Sequence, residues 1–160
     1  MIGGIVSNNS SGMCCGVKEN TYNTLEDMRV VWRDGSVLDT GSDESCAAFA
    51  ESHFELLNSV SKLAAEVQAD PELSALIRKK YRIKCTTGYA INALVDFPPA
   101  NPIEIVKRLM IGSEGTLGFI SKVTYKTVPE HPHKVSRLLF VPTAARPAHP
   151  TPPPPLRRPR

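Results

Sequence analysis

Two stretches of this sequence combine glycine with small hydroxyl and amide side chains, and both abut a regular element. The first runs Ile2-Gly3-Gly4-Ile5-Val6-Ser7-Asn8-Asn9-Ser10-Ser11-Gly12 and continues to Gly16. The second is Ile111-Gly112-Ser113-Glu114-Gly115-Thr116-Leu117-Gly118-Phe119-Ile120. With so few Cβ atoms in the way, backbone N–H groups in such stretches can approach a bulky ligand closely. The same residues also suit plain structural turns, and composition alone favours that reading. Gly112, Gly115 and Gly118 form neither a Rossmann fingerprint nor a P-loop: this loop leads from a helix into a strand, the reverse of those motifs, and it lacks the P-loop lysine. Other chemistry is harder to find. The four histidines are His53, His131, His133 and His149. His131-Pro132-His133 offers two ligands on a proline-flanked loop, a poor metal cage. The four cysteines, Cys14, Cys15, Cys46 and Cys85, show no C-x-x-C spacing, so reduced thiols are expected. No metal site and no catalytic acid or base is expected.

The elements that must position these stretches can be read in order. Residues 2–12 predict one or two tight helical turns, with Gly12 as the stop. Met28 to Trp32 is a β-rich run, Asp34-Gly35 a turn signal, and Val37 to Asp39 a short return strand. A hairpin this short must belong to a larger sheet. Residues 45–83 read as helix, with Phe54, Leu57, Val60, Leu63, Ala64 and Val67 forming one apolar stripe. Asp70-Pro71 breaks the run and starts a second helix, which ends in the basic cluster Arg78-Lys79-Lys80 and Arg82. Thr86 to Ala90 predicts a turn into a short helix, and Phe97-Pro98-Pro99 a loop. Ile103 to Met110 is helical and feeds the glycine loop. Residues 119–128 then alternate as a strand, with Ile120, Lys122, Thr124 and Lys126 on one face. Leu138 to Val141 predicts a last short strand.

Bulk properties narrow the function classes. The chain has 160 residues, room for one ordinary domain, and carries a net charge of +3. That charge is a property of the tail. Without Arg146, Arg157, Arg158 and Arg160, the 19 basic residues fall to 15 against 16 acidic. The body therefore has no basic stripe of the kind that binds nucleic acid. No apolar run approaches the ~20 residues of a membrane span. The N-terminus lacks the basic lead of a signal peptide, so a cytoplasmic location is expected. The chain also starts abruptly inside an apolar element, which suggests an internal start. From Thr143 to Arg160 proline and arginine dominate, predicting a disordered tail.

The order of these motifs resembles one family. Residues 2–12 resemble the G-G-x-x-x-x-N-x-S-G stretch of FAD-linked oxidases, and residues 111–121 are similar to their G-S-E-G-T-L-G-I-I-T stretch. Between them, Met28 to Asp39 looks like the family's hairpin, and Thr87-Gly88-Tyr89 like its N-T-G-Y turn. The resemblance covers roughly residues 2–128 and is nearest to bacterial enzymes related to D-lactate, glycolate and D-2-hydroxyglutarate dehydrogenases. It implies an α+β fold, the second subdomain of a p-cresol methylhydroxylase-type FAD-binding domain: an antiparallel-rich sheet with helices on its outer side. Residues 1–142 would be that partial domain, with the following domain starting near 136–142 and residues 143–160 the tail. The implied cofactor is FAD. Its implied contacts are Ser7, Asn8, Asn9, Ser10, Ser11 and Gly12 on one side, and Glu114, Gly115, Thr116, Leu117, Gly118, Phe119 and Ile120 on the other. The implied parent enzyme oxidises a D-2-hydroxy acid by hydride transfer to flavin. Its other FAD subdomain would lie upstream and its substrate domain downstream, so this chain alone would bind FAD weakly at best. The competing expectation is an inactive truncated domain, or a binding module that uses its Pro/Arg tail.

Overall fold

In the computed structural model, residues 1–12, 15–129 and 135 are described. Strand β1 (Leu25–Val31) is the centre of a three-stranded antiparallel sheet of order β2-β1-β3, flanked by β2 (Val37–Asp39) and β3 (Phe119–Tyr125). Helices supply the rest of the unit: α1 (Ile2–Ser7), α2 (Thr21–Thr24), α3 (Asp43–Ser52), α4 (Phe54–Ala69), α5 (Pro71–Lys80), α6 (Ala93–Asp96) and α7 (Pro102–Leu109). The fold is α+β, and residues Met1–Val128 make one compact unit. The expected strand at Leu138 to Val141, the His131-Pro132-His133 loop and the Pro/Arg tail lie outside the described residues. No helix among the described residues is long and apolar enough to cross a membrane.

Local chemistry accounts for the elements. Gly35 takes φ +85° in the hairpin turn, a conformation that glycine adopts without steric cost, and Trp32 N–H donates to Ser36 O at 2.9 Å to close it. Ser42, Asp70 and Asn101 cap α3, α5 and α7, each side chain accepting from the N–H three residues on. Pro71 and Pro102 occupy first-turn positions, where the missing N–H costs nothing. The helical stretch expected over 45–83 is three helices, because His53 leaves the helical region (φ −118°, ψ 31°) between α3 and α4.

Three expectations need correction. The first helix stops at Ser7, well before Gly12, because Asn9 itself adopts the left-handed conformation at φ 55°; asparagine tolerates that region better than most residues. The predicted stripe on α4 is narrower than expected. Leu57, Ala64 and Val67 are buried, but Phe54 is 67% exposed and Leu63 47% exposed, since both fall to the sides of the line through 57, 60, 64 and 67. The simple alternation of β3 is broken as well. Arg29 pairs with Lys122 and Val30 with Ile120, which leaves Ser121 as an extra residue in β3. Beyond this bulge the inward face changes parity, so Ile120, Val123 and Tyr125 pack on the core. Strand β1 has its own extra residue at Glu26, which similarly turns both Leu25 and Met28 inward.

The main core joins the sheet to α1 and α4 to α7 through Val6, Leu25, Met28, Val30, Ala64, Val67, Ile77, Leu94, Ile105 and Ile120. A smaller cluster of Leu38, Phe49, Leu57 and Val106 seats α3 and α4 against β2 and α7. Lys107 is buried, and its Nζ is satisfied by Glu26 O at 2.7 Å and Glu104 Oε2 at 2.6 Å.

Candidate functional site

The two glycine-bearing stretches, more than a hundred residues apart in sequence, meet at one place. Glu114 N–H donates to Ser7 O at 3.1 Å, and Asn8 Nδ2 donates to Glu114 Oε1 at 2.5 Å. Both stretches turn through the left-handed region near the junction, at Asn9 (φ 55°) and Glu114 (φ 51°). A non-glycine residue held there costs on the order of 1 kcal/mol or more, so the junction is a place where the fold stores conformational strain.

A groove of about 720 Å³ opens beside this junction, along the seam between α1 and the start of β3. Residues Met1 to Gly4 and Ser7 form one wall; Glu114, Gly115 and Gly118 to Ser121 form the other. Its size falls within the range of about 300–1,000 Å³ usual for small-ligand pockets. Exposed apolar side chains frame it, with Ile2 64% and Phe119 63% exposed.

The glycines of the groove divide into two kinds. Gly3 and Gly118 are needed by the protein itself. A Cβ on Gly3 would lie 2.5 Å from Ile120 O, and one on Gly118 would lie 2.9 Å from Val30 Cγ1. These two let α1 lie directly on β3 and let the loop lie on β1. At Gly4 and Gly115 a Cβ would meet nothing within 4 Å, but Gly115 holds φ +80°, a backbone conformation that itself favours glycine. Both line the groove, and at Gly4 neither packing nor a positive φ accounts for the missing side chain. Behind the loop, Gly112 takes φ +81° against Gly88, where a Cβ would lie only 2.1 Å from Gly88 O. The glycine loop is thus locked to the Thr87-Gly88-Tyr89 turn, and Tyr89 OH shares a 2.7 Å hydrogen bond with Thr116 Oγ1.

The residues expected at a ligand site are placed unevenly. Ser7, Glu114, Gly115, Gly118, Phe119 and Ile120 line the groove. Asn8 and Ser10 are not on its walls: Asn8 Nδ2 engages Glu114, and Ser10 Oγ donates to Asn8 Oδ1 at 2.7 Å. Asn9 turns away: it is buried, and its Nδ2 donates to Cys85 O at 3.1 Å. Ser11, Gly12, Thr116 and Leu117 also lie off the groove walls; Ser11 O accepts from Lys84 Nζ, and Thr116 Oγ1 donates to Ser113 O. Met1, Ile2, Gly3, Gly4 and Ser121 line the groove although their residue types did not single them out as contacts. The Gly3-Gly4 pair was the available signal. No protein-family model, no curated protein and no solved structure matches the chain.

Two further polar clusters lie elsewhere. Behind the asparagine–serine stretch is a smaller cavity of about 210 Å³, with Asn9, Tyr22, Arg78, Asn92 and Asp96 among its walls. There Tyr22 OH donates to Asp96 Oδ2 at 2.9 Å, and Asn92 Nδ2 donates to the same oxygen at 2.8 Å. Burial, reinforced by the Asp96 charge, pushes the Tyr22 phenol far above its ordinary range, so it stays a neutral donor. At the hairpin tip, His53 Nε2 lies 3.0 Å from Asp34 Oδ2, and its ring stacks on Phe49 with centroids 4.0 Å apart. The Asp34 carboxyl is brought down to about 2, chiefly by the Ser36 hydroxyl and then by the Ser36 N–H. This cluster fastens the β1–β2 turn to the α3–α4 junction. Among the described residues no group of three or more His, Cys, Asp and Glu side chains is arranged to hold a metal ion, and Cys15, Cys46 and Cys85 are free thiols.

Proposed function

We propose that the groove between α1 and β3 is one wall of an FAD site, in a protein that oxidises a D-2-hydroxy acid by hydride transfer to the flavin. The observation that carries this reading is the convergence of the two side-chain-poor stretches on a single apolar groove, joined by the Ser7–Glu114 and Asn8–Glu114 hydrogen bonds. The residues present fit a planar, largely apolar ring system. Gly4 and Gly115 leave room for a flat ligand to lie against backbone, and Ile2, Phe119 and Ile120 offer apolar surface. Ser7, Glu114 and Ser121 supply the polar groups on the walls that would fix its orientation. The flavin, when bound, supplies the redox chemistry by accepting a hydride. The chain's own part is to hold and orient the ring and to shield one of its faces from water.

The order of the motifs supports the same reading: the G-G-x-x-x-x-N-x-S-G-like stretch, the hairpin, the Thr87-Gly88-Tyr89 turn and the Gly112-Ser113-Glu114-Gly115 loop follow one another as in FAD-linked oxidases. The test is a titration of the full chain with FAD, followed by flavin fluorescence. The reading expects weak but saturable binding, with a dissociation constant of about 10 μM to 1 mM, that is about −7 to −4 kcal/mol. Lumiflavin, the ring system alone, should compete, whereas ADP should not. At Gly4, which lines the groove, an added Cβ meets no protein atom within 4 Å; Gly4→Leu puts a bulky side chain on that wall and should weaken FAD binding at least about tenfold, with a thermal melt to establish that the variant is folded. Binding that is not saturable, or that is equal in Gly4→Leu, would overturn the assignment.

A further inference from the structure

Away from the groove, residues 78–84 carry five cations in seven positions: Arg78, Lys79, Lys80, Arg82 and Lys84, all exposed. Complementing the helix dipole explains only the last turn of α5, which holds Arg78, Lys79 and Lys80. Arg82 and Lys84 lie beyond the helix. Among the described residues none of the five joins an ion pair. Lys84 Nζ donates to Ser11 O at 2.8 Å, which anchors the side chain and leaves its charge uncompensated. The carboxylate sharing a cavity with Arg78 is Asp96, whose Oδ2 is already occupied by Tyr22 and Asn92.

The surface is also apolar in a patterned way. Leu73 is 39% exposed, Leu76 50% and Ile83 72%. Spacings of three and four place Leu73, Leu76 and Lys80 along one flank of α5, with Lys79 adjacent to Leu76. Cations interleaved with exposed aliphatic residues are complementary to an acidic segment that carries apolar side chains. They are a poorer match to nucleic acid, whose single-stranded forms are read by aromatic stacking platforms; the aromatic residue here, Tyr81, is half-buried, with its hydroxyl donating to Tyr89 O.

We propose that α5 and residues 81–84 form a docking surface for an acidic, leucine-bearing protein segment, a role independent of the flavin reading. The test uses the full chain and a fluorescein-labelled peptide containing six acidic residues and two leucines three positions apart, followed by fluorescence anisotropy. Binding is expected in 50 mM NaCl and should weaken at least about tenfold in 300 mM, because exposed charges are screened beyond a Debye length of about 10 Å at 0.1 M salt. The triple variants Lys79→Glu/Lys80→Glu/Arg82→Glu and Lys79→Gln/Lys80→Gln/Arg82→Gln should each lose at least about tenfold, and a thermal melt of the neutral triple separates loss of charge from loss of fold. Replacing the peptide's leucines with serine should weaken binding several-fold. The variant Arg157→Glu/Arg158→Glu should bind as the parent does. The proposal is overturned if the peptide shows no saturable binding, if the folded neutral triple binds unchanged, if the tail variant abolishes binding, or if a twelve-residue oligothymidine binds as tightly as the peptide.

Discussion

Adjacent glycines in α1 should respond in opposite ways to the same added methyl group. Gly3→Ala places a Cβ 2.5 Å from Ile120 O, a backbone atom of β3 that cannot swing aside. Gly4→Ala places a Cβ where nothing lies within 4 Å. Both changes gain helix propensity, at most about 1 kcal/mol each, and since the two positions are neighbours in one six-residue helix that gain cancels in the comparison. What remains is the overpacking at Gly3, typically about 1–3 kcal/mol. Gly3→Ala should therefore be less stable than Gly4→Ala by about 1–3 kcal/mol, read from paired urea denaturation curves at constant m. The displaced helix should also strain the hydrogen bond from Glu114 N–H to Ser7 O, so the Glu114 amide should exchange with solvent faster in Gly3→Ala alone. Equal stabilities, or faster exchange in Gly4→Ala, would show that α1 does not lie on β3 as described, and the groove would lose its shape with it.

Gly112→Ala combines a left-handed backbone (φ +81°) with a Cβ 2.1 Å from Gly88 O, and should cost at least about 3 kcal/mol in thermal or urea unfolding. Asp70→Ala removes the side-chain acceptor for Leu73 N–H and should cost about 1 kcal/mol, with Asp70→Ser recovering most of it. The Asp34 carboxyl, lowered from 3.8 to about 2, contributes stability that is fully present above pH 3.8 and is lost as pH falls through about 2. Ser36→Ala removes the main cause, so Asp34 should titrate nearer the ordinary carboxylate range when followed by NMR; an unchanged titration would mean that the hydroxyl does not hold it.

Much of this fold was legible because local signals agreed with the tertiary result. Asp34-Gly35 marked the hairpin turn, Asp70-Pro71 the start of α5, and the glycine loop its position between α7 and β3. What escaped prediction depends on partners far along the chain. Nothing at Ser121 announces a bulge; the extra residue follows from how β3 pairs with β1. Likewise nothing at His53 announces a helix break, since its ring is held by Phe49 and Asp34 together. At the groove, composition identified the two stretches that converge, but not which side chains line the walls. Asn9 read as a ligand-facing amide, yet its left-handed backbone sends its Nδ2 to Cys85 O instead. The Gly3-Gly4 pair marked this end of the groove in the sequence, but the part played by Met1 and Ile2 becomes visible only when α1 is seen lying on β3.

The extra residue at Ser121 has a consequence for how faithfully the edge of the sheet assembles. Ile120 faces inward on one side of it, and Val123 and Tyr125 on the other. Sliding β3 past β1 by a single step exchanges inside for outside in both halves at once. Depending on the direction, the core would then receive Lys122 or Thr124 in place of Val123, and Thr124 or Lys126 in place of Tyr125. A strand whose two halves are out of phase has no neighbouring alignment that satisfies both, so mispairing meets its penalty as soon as it begins.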